Sequence, residues 1–339
     1  MNPELTAPKR ISSRDLLNVL GPFIGLALVL GLFSLNPSIR PTFLSTDNIG
    51  LVANQTVIVA LGALGMTMII ISGGIDLSVG SVIALSGVVT ACILHSGGAP
   101  ILAVFAGIFV GSLVGVVNGS LITGLKVTPF IVTLGTLEVA RGAAKWLAQE
   151  QSVSAPKSWV NNLSLTRNIL GVPISTGVWV TLGLAIVMAM VLRYSRFGRY
   201  VFAIGSNETA SRLSGLRVDL LKVCIYLLAG IFVGIAGVIQ FARLGLGDPT
   251  VAIGVELDVI AACVIGGASL NGGEGSILGS MLGALIMSFL RSGAVQMGWS
   301  SYVQEIIIGV VIVTAVALDR LRHRQPVRTP TLAAPAAKP

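Results

Sequence analysis

The run Ser72-Gly73-Gly74-Ile75-Asp76-Leu77-Ser78-Val79-Gly80-Ser81 places two adjacent glycines and a lone carboxylate between two long apolar segments. In hydrocarbon an unsatisfied backbone group or a charge is costly, so an ordinary bilayer crossing avoids both. A chain that keeps them needs a helix to stop, turn near the membrane interior and restart, which is the pattern of a transport pathway.

Composition supports that setting. Hydrophobic residues make up 54% of the chain and charged residues 11%, with a mean hydropathy of +0.90, far from the soluble norm of about 25% charged. The 339 residues have room for about ten spans of ~20 residues and for no separate soluble domain. Apolar runs predict segments near 16–35, 48–71, 78–94, 101–122, 129–147, 174–192, 221–241, 258–268, 276–291 and 302–319. The expected fold is therefore an all-α polytopic membrane protein of about ten transmembrane helices. The first segment is too long for a signal-peptide core and has no small-residue cleavage site, so it reads as a retained helix.

The expected domain plan is a cytoplasmic segment 1–15, a transmembrane domain 16–320 and a disordered Pro/Ala/Arg-rich cytoplasmic tail 321–339. With both termini inside, 15 of the 22 Lys and Arg residues fall in cytoplasmic stretches and five in outer connections, while Arg141 and Lys145 lie within the fifth segment. That asymmetry follows the positive-inside rule, so the net charge of +8 speaks for topology and not for nucleic acid. Cys92, Cys224 and Cys263 form no CxxC pair and read as small buried hydrophobes.

Two segments are unusual. The eighth has about 11 residues and is too short to cross at 1.5 Å per residue. It ends in Gly266-Gly267, followed by Ser269-Leu270-Asn271-Gly272-Gly273-Glu274-Gly275-Ser276. This echoes the first run, so interruptions are expected near 72–78 and 266–276, as in transporters built from repeated halves. The loop 193–221, with Lys222 at its end, carries six basic residues and two acids between two spans. Within it, residues 206–215 predict a short helix capped by Ser206 or Asn207, favoured by Glu208 at its positive end and closed by Gly215. So short a helix needs a membrane surface or a partner to lie on.

Four ordered stretches give the chain a family resemblance: Gly65-Met66-Thr67 through Ser81, Val127–Gly135, Ala203–Gly215 and Val264–Ser276. Together they resemble the permease subunits of ribose-type sugar ABC importers over roughly residues 16–320. The resemblance implies a homodimer of permease chains in a bacterial inner membrane, a cytoplasmic ATPase subunit with two nucleotide-binding modules, and a periplasmic sugar-binding protein. It also implies that the inner loop is the coupling helix, with Asn207, Glu208, Ala210, Arg212, Leu213 and Gly215 serving the ATPase contact.

The residues themselves present no catalytic constellation, metal motif or P-loop. The chain is thus expected not to be an enzyme and to hold no cofactor, with ATP consumed by the partner subunit. Candidates for a substrate pathway or gate are Asp76, Ser78, Asn54, Gln55, Asn118, Thr133, Thr136 and Glu274. Asp76 and Glu274 read first as caps of the helices that follow them and second as gate residues. The neutral groups suit an uncharged, hydroxyl-rich sugar, and they also serve as packing glue between helices. Glu138 and Arg141 are spaced to pair, and Asp248, Glu256 and Asp258 are placed to meet a docking protein outside. The competing function is an ion-coupled secondary transporter of a small polar solute, which would need intramembrane acids arranged as an ion site.

Overall fold

A computed structural model describes residues 13–169 and 171–323. The N-terminal residues before 13 and the tail beyond 323, including its expected disorder, lie outside the described residues. Each of the ten expected segments is helical. In chain order the elements are α1 (Ser13–Ser34), α2 (Arg40–Phe43), α3 (Thr46–Ile71), α4 (Val79–His95), α5 (Pro100–Leu125), α6 (Pro129–Leu147), β1 (Val153–Ser154), a 3₁₀ turn (Trp159–Ser164), β2 (Thr166–Ile169), β3 (Val172–Ser175), α7 (Thr176–Tyr194), α8 (Arg196–Ser206), α9 (Glu208–Leu213), α10 (Val218–Leu244), β4 (Leu246–Gly247), α11 (Val255–Ile265), α12 (Ile277–Gln296) and α13 (Ser301–His323). Five of these, α3, α5, α7, α10 and α12, are long and apolar enough to cross a membrane.

The all-α expectation needs one correction. Two small antiparallel ribbons, β1–β4 and β2–β3, occupy the connections after α6 and α10. Strands of two to four residues leave too short an alternation to read from sequence.

The centre of the fold is α3. Every residue from Ala60 to Ser72 is buried, as expected of a helix apolar on all sides. Its Leu61 and Leu64 share one apolar cluster with Ile83 of α4, Phe232 of α10 and Val259 of α11. The opposite case is α5, whose Phe105, Phe109, Leu113 and Val117 are exposed, as a face against lipid requires. Its buried edge carries Gly107, Gly111, Gly115 and Gly119 at a spacing of four. A Cβ on Gly111 would meet the backbone of Gly230 and Gly234, and one on Gly115 the carbonyl of Tyr226. Glycines at this spacing let α5 and α10 approach backbone to backbone. Gly115→Ala is accordingly expected to destabilise the chain by ~1–3 kcal/mol, read as a lower unfolding midpoint in detergent. The same change at Gly124, which faces open space, should leave the midpoint unchanged.

Both interruptions close in the same way. At the end of α3, Gly73 takes φ +83°, its N–H donates to Ile70 O, and Gly74 N–H donates to Ile69 O. At the end of α11, Gly267 takes φ +90°, its N–H donates to Val264 O, and Ala268 N–H donates to Cys263 O. Each is a Schellman end, in which a left-handed glycine lets two N–H groups satisfy the last free carbonyls. The echo between the halves is thus geometric, with Ser72-Gly73-Gly74 matching Gly266-Gly267-Ala268.

Candidate functional site

The first interruption gathers most of the candidate residues. One carboxylate oxygen of Asp76 accepts from Ser78 N–H at 2.8 Å and from Ser78 Oγ–H at 2.6 Å. Asn118 Nδ2 on α5 donates to Ser78 Oγ at 3.1 Å. Thr133 Oγ1 on α6 donates to Ile75 O at 3.2 Å, and Thr136 Oγ1 donates to Thr133 O at 3.1 Å. Asp76, Ser78, Asn118 and Thr133 are all buried. Asp76 does not cap the following helix, contrary to the capping expectation. That helix starts at Val79 with Ser78 in the cap position and no side-chain cap bond. Asp76 instead closes an Asx turn onto the residue two ahead, a local bond that Asp favours.

At the second interruption the cap is Ser276, whose Oγ accepts from Gly279 N–H at 3.0 Å. This corrects the capping reading of Glu274, whose backbone carbonyl accepts from Ser269 N–H at 3.1 Å. The two interruptions touch, since Gly273 N–H donates to Ile71 O at 2.8 Å. The last turn of α8 is wedged against that bond, where a Cβ on Gly205 would collide with Ile71 O and Gly273 N. The end of α8, at Gly205 and Ser206, thus sits against both interruptions.

Beyond Gly205 lies the charged corner. Ser195 Oγ accepts from Gly198 N–H to start α8, a helix that the sequence pattern does not separate from the loop. Asn207 Oδ1 accepts from Ala210 N–H at 2.9 Å and starts α9, and Gly215 ends it at φ +88°. Glu208 pairs with Arg212 at 3.0 Å and with Lys222 at 2.7 Å, while Arg212 makes a two-pronged bond to Asp219. Partial burial pushes the Glu208 carboxyl up, but its bonds to Lys222 and Arg212 outweigh that and hold it below the usual carboxylate range. The Arg212 guanidinium is held more firmly charged, first by Asp219 and then by Glu208. Exposed pairs are individually weak, and here four charges join to fix α9 on the start of α10. Ala210 is exposed and Leu213 is 85% exposed on α9.

A cavity of about 470 Å³ opens among α3, α10, α11, α12 and α13, and Gln55, Gln240, Arg243, Asp258, Ser288 and Arg291 are among its walls. Of these, Gln55 was a pathway candidate from sequence and Asp258 a docking candidate. Asn54, one residue away, is a packing bridge: its amide donates to Pro173 O at 3.2 Å and accepts from Ser175 N–H at 2.9 Å, tying β3 to α3. Asp258 is not available to a docking protein, because its side chain is 5% exposed and pairs with Arg291 at 2.6 Å. Asp248 is turned to Thr250, and Glu256 accepts from Gly254 N–H. Arg141 also departs from expectation, donating to the carbonyls of Pro249 and Val251 in place of a bond to Glu138. Among the described residues no group of three or more His, Cys, Asp or Glu could hold a metal ion.

Residues 48–316 match the family described as branched-chain amino acid transport system / permease component. The chain belongs to that family. Among curated relatives, the ribose import permease protein of Bacillus subtilis (strain 168) is 40% identical over 317 residues, covering 93% of this chain and 97% of the relative. The ribose import permease protein of Escherichia coli (strain K12) is 39% identical over 304 residues, covering 88% and 93%. The D-allose transport system permease protein of the same organism is 35% identical over 304 residues, covering 89% and 91%. No solved structure matches. With five long apolar helices among its described residues, this permease is a multi-pass membrane protein.

Proposed function

We propose that the chain is the translocation subunit of an ATP-driven importer of a monosaccharide, working as a homodimer by alternating access in a bacterial inner membrane. The observation that carries this reading is identity of 35–40% over most of the chain to ribose import permeases and a D-allose transport system permease. In this reading all ten helical segments belong to the membrane domain and both termini are cytoplasmic, in accord with the 15-to-5 basic asymmetry. Energy comes from a cytoplasmic ATPase subunit that seats on α9, and sugar is delivered by a binding protein on the other side.

The charged corner suggests a division of labour on α9. Both carboxylate oxygens of Glu208 are bonded within the chain, so Glu208, Arg212 and the Asn207 cap hold the helix in place. Ala210 and Leu213 present the surface for the ATPase, while Gly215 lets the chain leave the helix. Movement of α9 passes along α8 to Gly205 and from there to both interruptions, with Asp76, Ser78, Asn118, Thr133 and Thr136 holding the first one and Glu274 lying in the second. Leu213→Asp is expected to reduce co-purification of the ATPase subunit by about ten-fold, the scale of losing a buried apolar anchor. Arg217→Gln, outside the network, should leave it unchanged. Equal recovery of the ATPase with Leu213→Asp would contradict the docking assignment.

A further inference from the structure

The cavity contains an imbalance that the chain does not resolve internally. Gln240 Oε1 and Asp258 Oδ1 are buried and have no hydrogen-bond partner among the described residues. Both side chains belong to the wall of the same cavity. Buried acceptors are nearly always partnered in folded proteins, and exceptions call for a reason. Two on one cavity wall point to a ligand that supplies donors. The cavity supplies donors as well: Arg243 makes no ion pair or side-chain hydrogen bond among the described residues, and the Arg291 side chain is 45% exposed while holding Asp258. Its volume of about 470 Å³ is that of a small-molecule site.

We infer that this cavity is a binding station for a neutral polyhydroxylated solute, with Gln240 and Asp258 as acceptors and Arg243 and Arg291 as donors. A hydroxyl both donates and accepts, so adjacent hydroxyls on one ring can satisfy both sets. The charge of Asp258 is already balanced by Arg291, which leaves the acceptors without a demand for a cation. Neither acceptor atom has surface open to water in this conformation, so a hydroxyl reaches them as the wall side chains shift, with Arg291 keeping Asp258 Oδ2 and the solute taking Oδ1.

This assignment rests on the sugar-import reading, and the test separates the two. The chain with its ATPase subunit and binding protein is reconstituted in proteoliposomes and offered radiolabelled ribose, allose, arabinose, fructose and leucine. Gln240→Leu replaces an unpartnered amide with an apolar group of similar size, so folding is spared. Asp258→Asn keeps the shape as a second variant. Each is expected to lower the ratio of sugar imported to ATP hydrolysed by about ten-fold, the scale of one lost ligand hydrogen bond. A wild-type complex that imports a sugar, with both variants within two-fold of its ratio, overturns the site and leaves the import reading standing. A wild-type complex that imports leucine or none of the five overturns the import reading itself.

Discussion

Gly205→Val is expected to abolish uptake and to lower the yield of folded protein well below that of Gly115→Ala. A side chain at this position would press on Ile71 O and Gly273 N, the two atoms whose 2.8 Å hydrogen bond joins the interruptions. Backbone atoms cannot swing aside as side chains do, so the strain goes into separating α8 from both broken helices. Overpacking a core typically costs ~1–3 kcal/mol, and a collision with fixed backbone lies at or above the top of that range. The measurement is the unfolding midpoint in detergent together with uptake by the reconstituted complex. Gly135→Val is the control, since nothing lies within reach of a Cβ there. Retention of both properties by Gly205→Val would show that α8 does not bear on the interruptions.

The second large effect is at Asp76, where two substitutions separate two roles. Asp76→Ala strips Ser78 of the acceptor for both its N–H and its hydroxyl in a buried setting. Leaving such donors unpartnered costs ~1–3 kcal/mol each. The turn then loosens beside Asn118, and uptake should fall by more than about ten-fold. Asp76→Asn retains an oxygen that accepts the same two bonds without the charge, and it should restore most of the uptake. If Asn fails as badly as Ala, the carboxylate is needed as a charge, and an ion-coupled mechanism gains the support it lacks.

Helix positions were legible because long apolar runs bounded by Gly, Pro and charge leave few alternatives. The interruptions were legible for a related reason, since a glycine pair at the end of such a run marks a left-handed turn. Asn207 was read correctly as one of two caps because Asn before an acid is a local signal. Asp76 and Glu274 were each misread as caps by two residues, the caps being Ser78 and Ser276, as a carboxylate near a helix start fits a cap and a turn equally well. The pairing of Asp258 with Arg291 spans 33 residues and leaves no periodic trace, so the cavity walls were largely missed. Gly205 was invisible for the opposite reason. One glycine in an amphipathic helix says nothing until the elements it touches are in place. The glycine row on α5 did carry a readable signal, a spacing of four repeated three times.

The most direct test of the transport assignment is uptake of radiolabelled ribose and allose into proteoliposomes, with and without the ATPase subunit and binding protein. The account predicts uptake only when both partners and ATP are present. Accumulation by this chain alone under a proton or sodium gradient would contradict it.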